Sequence, residues 1–129
     1  MKRKQIFYFL VVILMIGYGC KKDSDTSGDL TAGKSGSYVG SMTLVGTGTV
    51  AATCKVVKVS NTTVNLEMTV AGETIPTLPS VTLSDAGSGK INLSYTDSSG
   101  SLNGSIVNNT LTFTLQAGTI QENFSGTKQ

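Results

Sequence analysis

The 129-residue chain contains no histidine and no tryptophan, only two prolines and two cysteines, and 14% charged residues. Without histidine there is no imidazole general base, no Ser-His or Cys-His nucleophile pair and no His-based zinc site. Without tryptophan, and with Tyr38 and Tyr95 the only tyrosines beyond the N-terminal stretch, aromatic platforms for stacking a sugar ring are scarce. Charge is equally sparse. Three of the ten basic residues are Lys2, Arg3 and Lys4, so from Cys20 onward seven lysines face eight carboxylates and no basic patch remains. Phosphate-driven nucleic-acid binding has no electrostatic basis in such a chain.

The carboxylates do not fill the gap. A glycosidase needs two carboxyl groups within roughly 5–10 Å, one of them with a raised pKa. Glu67, Glu73, Asp85, Asp97 and Glu122 are all expected on solvent faces or in turns. Asp85-Ala-Gly-Ser-Gly and Asp97-Ser-Ser-Gly are turn sequences in which the Asp caps its own backbone. Neither has the alternating ligand spacing of a calcium loop. The expectation is no catalytic residue, no metal site and no cofactor.

What is present begins with a sorting signal. Lys2, Arg3 and Lys4 form a positive start, Ile6 to Ile16 an apolar run of 11 residues, and Gly17, Tyr18 and Gly19 lead to Cys20. A helix crossing a bilayer needs roughly 20 apolar residues, so the run is short for a permanent span and suits a cleaved signal. The arrangement resembles a bacterial lipoprotein signal peptide, 1–19, with Cys20 as the lipid attachment site. Gly17 stands where such signals usually carry an aliphatic residue, whereas the small Gly19 fits. Lys21-Lys22-Asp23-Ser24-Asp25 resembles the charged segment that sends Bacteroidetes lipoproteins to the outer face of the outer membrane. The expected location is therefore the outer membrane, lipid-anchored and displayed at the cell surface, with the periplasmic face as the alternative. The membrane itself is a partner through acyl chains on Cys20, each buried CH₂ contributing about 0.8 kcal/mol.

With Cys20 acylated, Cys54 has no partner for an intrachain disulfide; set among Ala52, Val56 and Val57, it reads as a buried small hydrophobe. Lysine, Asp, Ser and Gly dominate from Lys21 to about Lys34, which predicts a flexible tether over 20–36. From 37 to 129 the pattern turns to two-residue alternation rich in Val, Thr, Leu and Tyr, broken by Gly, Asn, Asp and Ser. That is the strand signal, and it predicts eight strands at about 37–45, 49–59, 63–70, 80–84, 90–96, 101–107, 110–116 and 120–127. In the clearest, Leu111, Phe113 and Leu115 share one face and three Thr the other; Asn108-Asn109 supplies a hairpin turn before it. Apolar parity changes after Val56, to Val57 and Val59, which predicts a β-bulge there.

Eight short antiparallel strands with frequent turns mean a barrel or sandwich. The fold class expected is all-β, a small eight-stranded antiparallel up-and-down barrel. Tyr38-Val39-Gly40-Ser41-Met42, Leu78-Pro79-Ser80-Val81-Thr82-Leu83, Leu102-Asn103-Gly104-Ser105-Ile106 and Phe124-Ser125-Gly126-Thr127-Lys128 resemble the calycin-like β-barrel domain of Bacteroidetes lipoproteins. The resemblance spans Tyr38 to Lys128 and implies a barrel whose last strand pairs with its first. The Gly-x-Trp of true lipocalins is absent, since Gly40 is followed by Ser41 and Met42. The group carries no established functional residues to transfer.

Function follows only coarsely. A non-catalytic surface module binding a protein or glycan partner is the first reading. A carrier of a small hydrophobic ligand in the barrel mouth is the second, and a protease inhibitor the third. Ile75, Pro76, Leu78 and Pro79 are the candidate mouth residues. Prolines remove backbone donors and disfavour a central strand, so the segment forms either a lid or, through Ile75 and Leu78, an apolar plug. The inward side chains expected, from Tyr38 and Met42 through Phe113, Leu115 and Phe124, go far toward filling so short a barrel.

Overall fold

The computed structural model describes residues 28–129; the expected signal peptide and Cys20 lie outside them. Nine strands follow one another without a helix of any length between them: β1 (Gly36–Leu44), β2 (Gly48–Lys58), β3 (Thr63–Val70), β4 (Glu73–Thr74), β5 (Leu78–Asp85), β6 (Lys90–Thr96), β7 (Ser101–Val107), β8 (Thr110–Ala117) and β9 (Ile120–Lys128). Each long strand pairs antiparallel with its neighbours, and the ring closes where β1 meets β9 and β2 meets β3. The result is a closed eight-stranded antiparallel barrel, compatible with a calycin-like fold, with β4 as a two-residue addition folded back on β3. Closure leaves no long exposed edge on a Val- and Thr-rich sheet that would otherwise template further strands, only the two-residue β4.

Alternation builds the core. Tyr38 and Met42 of β1, Val64, Leu66 and Met68 of β3, Ile91 and Leu93 of β6, Leu102 and Ile106 of β7, Leu111 and Phe113 of β8 and Phe124 of β9 are all buried inside. Phe113 and Phe124 are register partners, and their rings stack with centroids 4.9 Å apart. They find room because Gly104 and Gly126 occupy inward positions beside them. A Cβ on Gly104 would lie 2.4 Å from Phe113 Cβ, and one on Gly126 2.7 Å from the Phe124 ring.

Two expectations about register are corrected. No bulge interrupts β2: Ala52, Cys54 and Val56 all point inward in continuous register with both β1 and β3. Val57 and Val59 simply point outward, Val59 being 53% exposed. The bulge sits in β5 instead. Val64 faces Val81 and Leu66 faces Leu78, so Pro79 and Ser80 together oppose the single residue Asn65. Pro79, expected outside a strand, is accommodated there because a bulge leaves a residue that donates nothing to the ladder. Ser80 takes a positive φ of 54°, and its N–H donates to Asn65 Oδ1 at 3.0 Å.

One end of the barrel is plugged by chain that the sequence assigns to the tether. Leu30 packs on the core, Thr31 is buried, and Leu30 N–H donates to Asn61 O at 2.8 Å. Tyr38 donates its hydroxyl to Lys34 O at 2.7 Å, and Lys128 Nζ donates to Gly33 O at 2.8 Å. Asp29 binds Lys58 Nζ at 2.7 Å. From Asp29 on, these residues belong to the barrel because Leu30 has apolar surface to bury and each polar neighbour finds a partner.

Candidate functional site

The strand directions put the plug, the β2–β3, β5–β6 and β7–β8 turns and the C-terminus at one end, called the base here. The β1–β2, β6–β7 and β8–β9 turns and the 71–77 connection lie at the other, the mouth. The mouth holds an open pocket of about 380 Å³ lined by Leu78, Tyr95, Asp97, Ser99, Gly100, Ser101, Leu115, Gln116, Ala117, Ile120 and Glu122. Its floor is the top layer of the core, where Leu78, Tyr95 and Leu115 pack half-buried against the residues below.

Of the four mouth residues named from sequence, only Leu78 lines this pocket. Ile75 is half-buried against the core and donates its N–H to Met68 O at 3.0 Å, while Pro76 and Pro79 are exposed on the outside. Ile75 and Leu78 thus cap the core beside the mouth.

The pocket's remaining walls come from four other strands, β6 to β9, and the 97–100 turn. Tyr95 and Asp97 alternate onto one face as β6 runs out, so the phenol reaches the carboxylate: Tyr95 Oη donates to Asp97 Oδ2 at 2.6 Å. Asp97 Oδ1 accepts from Ser99 N–H at 2.7 Å, Ser99 Oγ at 2.6 Å and Gly100 N–H at 3.0 Å. These bonds, Ser99's hydroxyl foremost, hold the Asp97 carboxyl down at about 2, and accepting the Tyr95 proton bond raises the phenol's pKa in return. Asp97 is therefore a fixed negative charge that staples the 97–100 turn, the capping role its sequence context indicates. Asp85 plays the same part at the base, accepting from Gly87 N–H at 2.8 Å.

Glu122 departs from the expected solvent face. It pairs in register with Leu115 and lies on the inward side of β9, two residues before Phe124, half-buried at the mouth. Its position follows from alternation, since Ile120, Glu122, Phe124 and Gly126 share one face. The sequence carried that signal, and the same i, i+2 rule places Tyr95 with Asp97.

Cys54 is fully buried, and burial pushes its thiol up to about 12. A thiol held neutral in apolar surroundings is inert. Among the described residues, no cluster of three or more His, Cys, Asp or Glu side chains could hold a metal ion. No family model, no curated protein and no solved structure matches this chain.

Proposed function

We propose that the chain is a non-catalytic binding module, anchored in the outer membrane by acyl chains on Cys20, that takes a small ligand in the barrel mouth. The supporting observation is the open pocket of about 380 Å³ at the end opposite the N-terminal plug. That volume falls at the lower end of ligand sites, roughly 300–1,000 Å³. Below it the buried interior offers packed side chains, so the ligand rests on the core and does not enter it. In family terms the reading is a calycin-like lipoprotein with a shallow cup in place of a deep lipid cavity.

The test uses the chain from residue 20, which contains every described element, with Cys20→Ser so that no acyl chain competes. Titrated with the neutral fluorophore N-phenyl-1-naphthylamine, it should show saturable one-to-one binding. Leu115→Trp, which fills the pocket, should abolish that binding, and Asn61→Trp at the base should not. Absence of saturable binding overturns the reading.

A second reading, a protein or glycan partner, is favoured by the outer face of β7, β8, β9 and β1. Its outward positions carry only Ser, Thr, Asn, Gln and Val, and a shallow depression of about 450 Å³ is lined by Asn103, Thr112, Thr114, Asn123 and Ser125 among others. Protein surfaces ordinarily carry about a quarter or more charged residues. Arginine at Thr114 should weaken a partner held there and leave mouth binding unchanged.

A further inference from the structure

The basic residues of this barrel are sorted along its axis. Lys34, Lys58, Lys90 and Lys128 lie at the base, in the plug or at the base ends of β2, β6 and β9. Lys55 lies on the outside of β2 against Glu67, 3.9 Å away. No lysine or arginine lines the mouth pocket, where Asp97 and Glu122 stand. Among the described residues neither acid forms an ion pair. Glu122 occupies a core-facing position directly opposite Leu115 and one inward step from Ile120. The Tyr95 ring stands in the same wall. An apolar floor, an aromatic face and two carboxylates with no cation among them form a surface complementary to a positive head on an apolar body. Ammonium groups are held by aromatic faces and by carboxylates in just such mixed settings, and a fatty-acid carboxylate would meet like charge.

We propose that the mouth selects its ligand by charge: it takes a small organic cation, an alkylammonium or quaternary ammonium compound, with the apolar body on Leu78, Leu115 and Ile120. The head lies between Glu122 and Asp97 beside Tyr95. Asp97, its lone pairs committed to the turn, supplies a fixed charge; Glu122 is the direct partner. The inference rests on the reading of the mouth as a ligand site.

Three probes separate the two ideas. Each is a dansyl amide on one short alkyl chain, ending in trimethylammonium, hydroxyl or carboxylate, titrated into the Cys20→Ser chain from residue 20 at low ionic strength. The ammonium probe should bind about tenfold tighter than the carboxylate probe, the hydroxyl probe falling between, as expected for two charge contacts in an open mouth and a ring face. Glu122→Gln should remove most of that preference and leave the hydroxyl probe unchanged. Ile120→Lys, at a side chain 51% exposed and so tolerant of change, should invert the order. Equal binding of the ammonium and carboxylate probes overturns charge selection and leaves the mouth as a site. Binding of none of the three overturns the mouth reading itself.

Discussion

Asp29 holds the base plug with one carboxylate. Its Oδ1 accepts from Thr31 N–H at 3.0 Å and Thr31 Oγ1 at 2.5 Å, while Oδ2 takes Lys58 Nζ at 2.7 Å. The Lys58 bond first, and those from Thr31 after it, lower its pKa from 3.8 to about 2. A carboxyl with a depressed folded pKa contributes stability above its unfolded value and loses it as pH falls through the folded one. The window is therefore from about pH 4 down to about pH 2. Thermal midpoints of the parent and Asp29→Asn should differ at pH 5 to 7 and converge below pH 2; a gap that stays constant with pH refutes the assignment. Asp97, also held at about 2, keeps some acid sensitivity in the variant. The same scale predicts an inert thiol. Cys54, with its pKa near 12, should resist a disulfide reagent at pH 8 in the native barrel and react at once in denaturant.

Between elements, turn chemistry decides what can be improved. Val70 pairs with Glu73 across the two-residue turn Ala71-Gly72, and both turn residues have positive φ, 52° and 85°. Such a turn favours Asn-Gly, and an alanine held left-handed costs on the order of 1 kcal/mol. Ala71→Asn should therefore raise stability by about 0.5–1 kcal/mol in denaturant unfolding, and a loss would contradict the turn geometry. Gly126→Ala should do the opposite. Its new methyl meets the Phe124 ring, which cannot retreat because it is stacked on Phe113, and overpacking of this kind costs about 1–3 kcal/mol. The strands themselves were legible in the sequence. The eight alternating segments lie within one or two residues of the observed bounds, because each has one buried face and its register cannot slip without exposing that face. The bulge is hidden from the sequence for a physical reason. Valine suits a strand on either face, so Val57 and Val59 imitate a change of side. The true change, Leu78 to Val81 with two residues between inward positions where alternation has one, is masked by Pro79.

At the scale of the whole molecule, the mouth was the least legible part. Its walls come from β5 to β9, and only closure brings those strand ends together; local alternation gives each residue's face but not its neighbours across the opening. Leu78 is legible because it is apolar and near proline, Glu122 is not because a lone acid reads as solvated, and the Asp29–Lys34 plug is hidden by its polar composition. Once assembled, the arrangement gives the barrel a direction. The plug begins nine residues after Cys20, a span of at most about 32 Å fully extended. Strands of seven to eleven residues, at about 3.3 Å each and tilted, hold the mouth some 20–30 Å from the base. If Cys20 carries the lipid, the base faces the headgroups and the mouth faces away. Because Cys54 is unreactive, single fluorophores can be placed through Asn61→Cys at the base and Thr119→Cys at the mouth of the acylated protein in vesicles. A nitroxide on the lipid headgroup should quench the Asn61 label strongly and the Thr119 label weakly. Equal quenching would mean a barrel lying on its side, and stronger quenching at Thr119 would turn the pocket toward the membrane and make a lipid its natural occupant.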